Sequence, residues 1–164
     1  MRRKVLTWQN VDALIDHLLP QFEGEFDALL MITRGGIVPG GLLADAMDIR
    51  TVLTAAVHFE ASVEREMALP VFHQFPRNEL LSGKRVMIVD DIWSGGRTIM
   101  AVKGRVIAAG GQPAVAVLHY KASRSLFRDV SPDYYAATTD AWIVYPWEAP
   151  RDPLQIPRTT LGLN

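Results

Sequence analysis

Apolar positions fall into two spacings along this chain, and the elements they predict alternate. Val11, Leu14, Ile15, Leu18 and Leu19 recur at helical intervals, which predicts a helix capped by Asn10 and ending near Pro20. FDALLMI (26–32) is a short continuous apolar run of the kind a buried strand requires, followed by the loop TRGGIVPGG and a short helix, LLADAMDI. A strand is expected from about Arg50 to Phe59, a third in RVMIVDDI (85–92) and a fourth in AVAVLHYK (114–121). Between the last two, RTIMAVKGRVIAAG reads as an amphipathic helix closed by Gly110 and Gly111. Residues 60–82 keep no period, and we expect a mobile loop or small hood there, with a short strand near Val71 to Phe75. The Pro-rich end (149–164) reads as an irregular tail. Strand and helix in alternation predict one α/β domain over 1–164: a mostly parallel central sheet, helices on both faces, and functional loops at the strands' carboxyl ends.

Composition narrows the chemistry. The 164 residues are 49% hydrophobic, enough for a real core, and no apolar run approaches the roughly 20 residues of a membrane span. We therefore expect a soluble, cytoplasmic protein. There is no cysteine, so disulfides, thiolate metal sites and cysteine nucleophiles are excluded. Seventeen Lys and Arg against 18 Asp and Glu leave a formal net charge of -1, without the broad basic footprint of a nucleic-acid binder. Any anionic ligand has to be held locally.

The stretch RVMIVDDIWSGGRTIM offers such a place. Asp90 and Asp91 end an apolar strand, and Ser94, Gly95, Gly96, Arg97 and Thr98 follow at the start of a helix. Small residues let backbone N–H groups converge there, and a helix N-terminus adds partial positive charge, so the turn is built to cradle a phosphate. Neither the GxGxxG spacing of a dinucleotide fold nor a Walker loop occurs. Acids beside a phosphate cradle repel the ligand unless they take sugar hydroxyls or a hard cation such as Mg2+; a ribose phosphate with magnesium satisfies both halves. A plain capping turn would also use two acids, but would not call for the glycines after them.

At these residues the chain resembles the type I phosphoribosyltransferases, whose signature is an apolar strand, two acids and a Gly-containing turn. MITRGGIVPGGLLA is similar to that family's pyrophosphate loop, and HYKAS followed by DAWIVYPWE to the base-binding end of its 6-oxopurine (hypoxanthine, guanine or xanthine) members. The resemblance implies transfer of the phosphoribosyl group of 5-phosphoribosyl 1-pyrophosphate (PRPP) to a purine base, with Mg2+ as cofactor, and purine salvage as the role. It implies Thr33, Arg34, Gly35 and Gly36 at the pyrophosphate, Asp90 and Asp91 at the ribose hydroxyls and metal, residues 94 to 98 at the 5-phosphate, and Lys121, Trp142 and Ile143 at the base. Glu148 matches an acid near the second metal or the base, and a homodimer or homotetramer is expected. Two departures stand out: Ser94 and Gly95 occupy positions where the family usually has a third acid and a threonine, and the 60–82 excursion lacks the Ser-Tyr pair often seen in the family's hood, with His58, Phe59 and Glu60 nearby instead. Serine is no base at neutral pH without activation, so a non-catalytic PRPP- or nucleotide-binding regulator is the alternative. Trp93 is expected under the hood or at a subunit contact, Trp147 as a packing residue, and Arg124 and Arg128 on a solvated face. His17, His58, His73 and His119 lack metal-ligand spacing and are assigned no chemistry.

Overall fold

A computed structural model describes residues 2–59 and 69–148. In chain order the elements are β1 (Arg3–Val5), α1 (Trp8–Leu18), β2 (Ala28–Ile32), α2 (Ile37–Ala46), β3 (Val52–Phe59), β4 (Pro70–Gln74), β5 (Arg85–Trp93), α3 (Arg97–Ala108), β6 (Gln112–Tyr120), β7 (Tyr134–Thr138) and β8 (Trp142–Val144). Six strands form one sheet in the order β4-β3-β2-β5-β6-β7, and β1 pairs with β8 in a separate parallel ribbon. All pairings in the large sheet are parallel except β3 with β4. This is the predicted α/β architecture.

The period of two along the strands divides the core. On one face Leu29, Met87, Val89, Ala116 and Leu118 meet Val11, Ile15 and Leu18 of α1 and Leu43 of α2. On the other, Ala28, Leu30, Ile32, Val86, Ile88, Val115 and Val117 meet Ile99, Val102 and Val106 of α3. Central strands are covered on both sides and so are apolar throughout. From β2 the chain steps to β3 on one side, and later to β5 on the other. The carboxyl ends of β2 and β5 therefore flank a topological switch point, where the outgoing loops part and leave a crevice.

Several boundaries differ from expectation. Helix α1 starts at Trp8, capped by Thr7: its Oγ1 accepts from Asn10 N at 3.2 Å while Asn10 Oδ1 accepts from Thr7 N at 3.0 Å. Asn10 is thus the third helical residue of a capping box and not the cap itself. Helix α2 begins five residues before Leu42 because Pro39 falls in its first turn, where no N–H is needed. Much of the expected 60–82 loop is ordered structure: β4 closes an antiparallel hairpin on β3, and Asn78–Leu80 form a short 3-10 turn. Arg105 of α3 clamps that hairpin, its guanidinium 4.3 Å from the Phe72 ring and 4.6 Å from that of Phe75. The rest of that loop, 60–68, and the 149–164 tail lie outside the described residues. Trp93, against whose core cluster Phe72 and Phe75 of the 60–82 excursion pack, has no surface left for a subunit contact. It is fully buried in the monomer, with Nε1 donating to Ser125 Oγ at 3.1 Å.

Candidate active site

Three segments converge at the switch point. The first leaves β2. Thr33 N donates to Ala55 O at 2.9 Å, the Thr33–Arg34 peptide bond is cis, and Gly36 N donates back to Ile32 O at 2.8 Å. This tight return brings Gly35 against the end of β5. A Cβ on Gly35 would stand 2.6 Å from Asp91 Oδ1 and 2.7 Å from Asp90 Oδ1; on Gly36 it would stand 2.2 Å from Val89 O. Glycine is required at both positions by space, since Gly36 has an ordinary φ of -75°.

The second segment is the acid pair. Asp90 is half-buried and Asp91 is buried, and Asp91 N donates to Asp90 Oδ1 at 2.9 Å. Burial, then the charge of Asp91, pushes the Asp90 carboxyl well above the usual carboxylate range. Burial, then Glu148, raises Asp91 from 3.8 to about 6, against hydrogen bonds from the backbone of Ile92 and of Asp91 itself. Two carboxyls crowded in a partly dry site favour a bound cation. Mg2+ is customarily held by one or two carboxylates plus phosphate oxygens of a substrate, and this donor set fits it.

The third segment is the turn into α3. Gly96 has φ 82°, and a Cβ there would lie 2.6 Å from the Trp93 ring, so both conformation and space demand glycine. Gly96, the N-cap of α3, has no side chain to bond the first N–H groups of the helix, and among the described residues none does so in its place. Ser94, Gly95, Gly96, Arg97 and Thr98 line a cavity of about 320 Å³ together with Asp90 and Phe59. The Arg97 guanidinium sits 4.6 Å over the Phe59 ring. Asp90 and Thr98 also line a larger cavity of about 690 Å³, shared with Thr33, Arg34, Gly35, Asp91, Trp147 and Glu148. All the predicted phosphate, pyrophosphate and acid positions except Gly36 line one or other of these cavities.

The predicted base residues stand apart from these linings. Lys121 is 4% exposed at the end of β6, its N–H donating to Trp93 O at 2.8 Å and its ammonium 5.8 Å from the Trp142 ring. Burial, then Arg124, lowers its pKa, opposed by Asp140. Trp142 is 57% exposed, whereas the side chain of Ile143 belongs to the core.

Sequence reasoning missed a buried layer behind the acids. Tyr145 donates its hydroxyl to Asp91 O at 2.9 Å, and His119 Nδ1 lies 2.8 Å from the same hydroxyl. The Tyr145 ring stacks on Trp147 at 4.6 Å and 8°, and Glu148 Oε2 accepts from Tyr145 N at 2.8 Å. Burial, then Asp91, raises the Tyr145 pKa, and burial, then Lys4 and Lys121, lowers that of His119 to about 4. Trp147 is thus more than a packing residue, because it walls the larger cavity. The only signal in the sequence was polar aromatic residues where apolar ones would fill the same strand-end space.

An open, mostly parallel sheet with its crevice at the switch point, walled by the turn into α3, an acid pair and a glycine loop, defines the class as an α/β protein with a candidate ligand site at its strand ends. The phosphoribosyl transferase domain family matches residues 4–153, and the chain belongs to that family. It is 32% identical over 127 residues to a xanthine-guanine phosphoribosyltransferase of Cereibacter sphaeroides, covering 76% of this chain and 71% of the relative. A xanthine-guanine phosphoribosyltransferase of Gluconobacter oxydans is 29% identical over 157 residues, 93% of this chain and 87% of that one. Among solved structures, a purine phosphoribosyltransferase from Pyrococcus horikoshii Ot3 superposes with a TM-score of 0.77 at 30% identity, covering 93% of this chain and 98% of that one.

Proposed function

We propose that this protein is a purine phosphoribosyltransferase, moving the phosphoribosyl group of PRPP to a ring nitrogen of a 6-oxopurine and releasing pyrophosphate. The observation that supports this reading is the close approach of Gly35 to both carboxylates, 2.6 Å and 2.7 Å from where a Cβ would stand, which sets the glycine loop beside the acid pair. The relatives named above, all purine or xanthine-guanine enzymes, support the choice of base.

Breaking the bond at ribose C1 builds positive charge on the sugar and negative charge on the leaving pyrophosphate, so catalysis requires contacts that follow those changes. Arg34 and the backbone of residues 33–36 face the leaving group, Asp90 and Asp91 receive the ribose 2- and 3-hydroxyls or a metal, and residues 94–98 hold the 5-phosphate. Mg2+, held by Asp90 and Asp91, would neutralise pyrophosphate oxygens. Lys121 donates to the 6-oxo group and Trp142 stacks on the base, while Ile143 offers its backbone only. The protein acts in the cytoplasm in purine salvage, as a homodimer or homotetramer; among the described residues no helix is long and apolar enough to cross a membrane.

The test is turnover with PRPP, Mg2+ and a panel of hypoxanthine, guanine, xanthine, adenine and uracil. Product from at least one 6-oxopurine is expected, and none from any of the three would overturn the reading. One observation favours a second reading, a non-catalytic nucleotide-binding regulator. Ser94 lines the cavity at the turn into α3, at the position where the resemblance implies a third acid. Measurable nucleotide synthesis ends that alternative.

A further inference from the structure

Tyr145 is 2% exposed and His119 3%. A phenol has one proton; having given it to the Asp91 carbonyl at 2.9 Å, the Tyr145 oxygen can only accept from the imidazole 2.8 Å away. That fixes His119 as the Nδ1–H tautomer and sets a one-way chain of donors, His119 to Tyr145 to Asp91. Phenylalanine would fill the same space without making either bond.

Those bonds meet β5 beyond the end of its pairing with β2, where β6 alone still runs beside it, through Asp90 with Val117 and Ile92 with His119. The β2–β5 ladder closes at Met31 with Val89, two residues short of Asp91. Beyond it, the strand must carry both carboxylates to a height where they touch Gly35 without colliding. Tyr145 also reaches the cavity wall, through its stacking on Trp147 and the bond from its N–H to Glu148. Those two contacts do not involve the hydroxyl.

We propose that Tyr145, and His119 through it, are positioning residues for the sugar-diphosphate subsite, holding the end of β5 so that Asp90 and Asp91 meet the ligand at the right height. This rests on the function proposed above. The hydroxyl serves the PRPP side of the site and not the base side.

The test is calorimetry with Mg2+ and PRPP, alongside steady-state kinetics, on the unaltered protein, Tyr145→Phe, His119→Phe and the double variant. Deleting one buried hydroxyl with two partners should weaken PRPP binding and raise its KM by about tenfold in Tyr145→Phe. The KM for the purine should stay within about twofold, because the ring stack and the Glu148 bond survive. His119→Phe should cost roughly threefold, and adding it to Tyr145→Phe should cost nothing more, since the histidine acts only through the hydroxyl. Unchanged PRPP affinity in Tyr145→Phe, an equal rise in both KM values, or additive losses in the double variant each overturn the proposal. If Tyr145→Phe does not fold, His119→Phe decides: wild-type PRPP affinity there rejects the chain. Binding by the unaltered protein with no effect of either variant sinks this inference alone. No binding by the unaltered protein sinks the function reading and this with it.

Discussion

Replacing Gly35 with alanine tests the contact on which the functional reading stands. The new Cβ would lie 2.6 Å from Asp91 Oδ1 and 2.7 Å from both Asp90 Oδ1 and Asp91 Cγ, where ordinary contact begins at 3.4 Å. The shortfall, 3.4 minus 2.6, is about 0.8 Å, and it falls on two short side chains at once. The Asp91 backbone cannot retreat, being bound through its carbonyl to Tyr145 and through its N–H to Asp90, so any relief has to come from the carboxylates. Overpacking of this kind costs about 1–3 kcal/mol. In the free protein part of that is relieved by rotating the carboxylates into the open cavity. In the complex they must return, so the cost should appear as a loss in kcat/KM for PRPP of about tenfold to a hundredfold. Two other glycines separate binding from folding. At Gly36 the obstruction is backbone, Val89 O at 2.2 Å, so Gly36→Ala should lower the melting temperature more than Gly35→Ala does. At Gly41, within α2, a Cβ meets nothing within 4 Å, so Gly41→Ala should stabilise by about 0.5–1 kcal/mol with activity unchanged. Thermal melts and PRPP titrations of the three variants decide it. Wild-type kcat/KM in Gly35→Ala would refute the pressing of the loop on the acid pair.

Other outcomes follow from the same geometry. If the missing acid limits the rate, Ser94→Asp should raise turnover, measured as kcat with the preferred purine; an equal or lower kcat rejects that account. Asp91, raised to about 6, holds its proton at pH 5 and must release it to bind a cation, so calorimetric Mg2+–PRPP affinity should strengthen from pH 5 to 7. By linkage, the folded metal-free protein keeps a proton that an unfolded carboxyl of pKa 3.8 has lost; Asp91 therefore adds stability at low pH that disappears as pH rises through about 6. A pH-independent affinity between 5 and 7 contradicts the raised carboxyl. Lys121→Met should raise the KM for a 6-oxopurine about tenfold or more while that for PRPP stays near its original value. Equal changes in both would remove Lys121 from the base subsite.

Legibility in the sequence followed the kind of interaction involved. Strands β2, β5 and β6 were readable because burial on both faces leaves near-continuous apolar runs, and α3 because one stripe is apolar and Gly110 closes it at φ 83°. The ribbon of β1 and β8 was not. Each is three residues long, and its pairing joins Arg3 to Trp142 across nearly the whole chain, so no local period encodes it. The same distinction governs the site. The glycine loop and the turn into α3 declare themselves because backbone geometry demands particular residues at fixed spacing, as Gly96 shows beside Trp93. The layer behind the acids leaves no such mark: His119 and Asp91 sit on adjacent strands, Tyr145 arrives from 54 residues beyond Asp91, and only folding brings their polar atoms together. Local sequence therefore records turns whose backbone geometry dictates the residue, and the support behind them becomes visible only once the strands are aligned. This is why changes at Tyr145 and His119 are the ones whose effect on PRPP affinity could not be inferred from motif matching, and why they discriminate best between a site that is merely present and one that is held in working geometry.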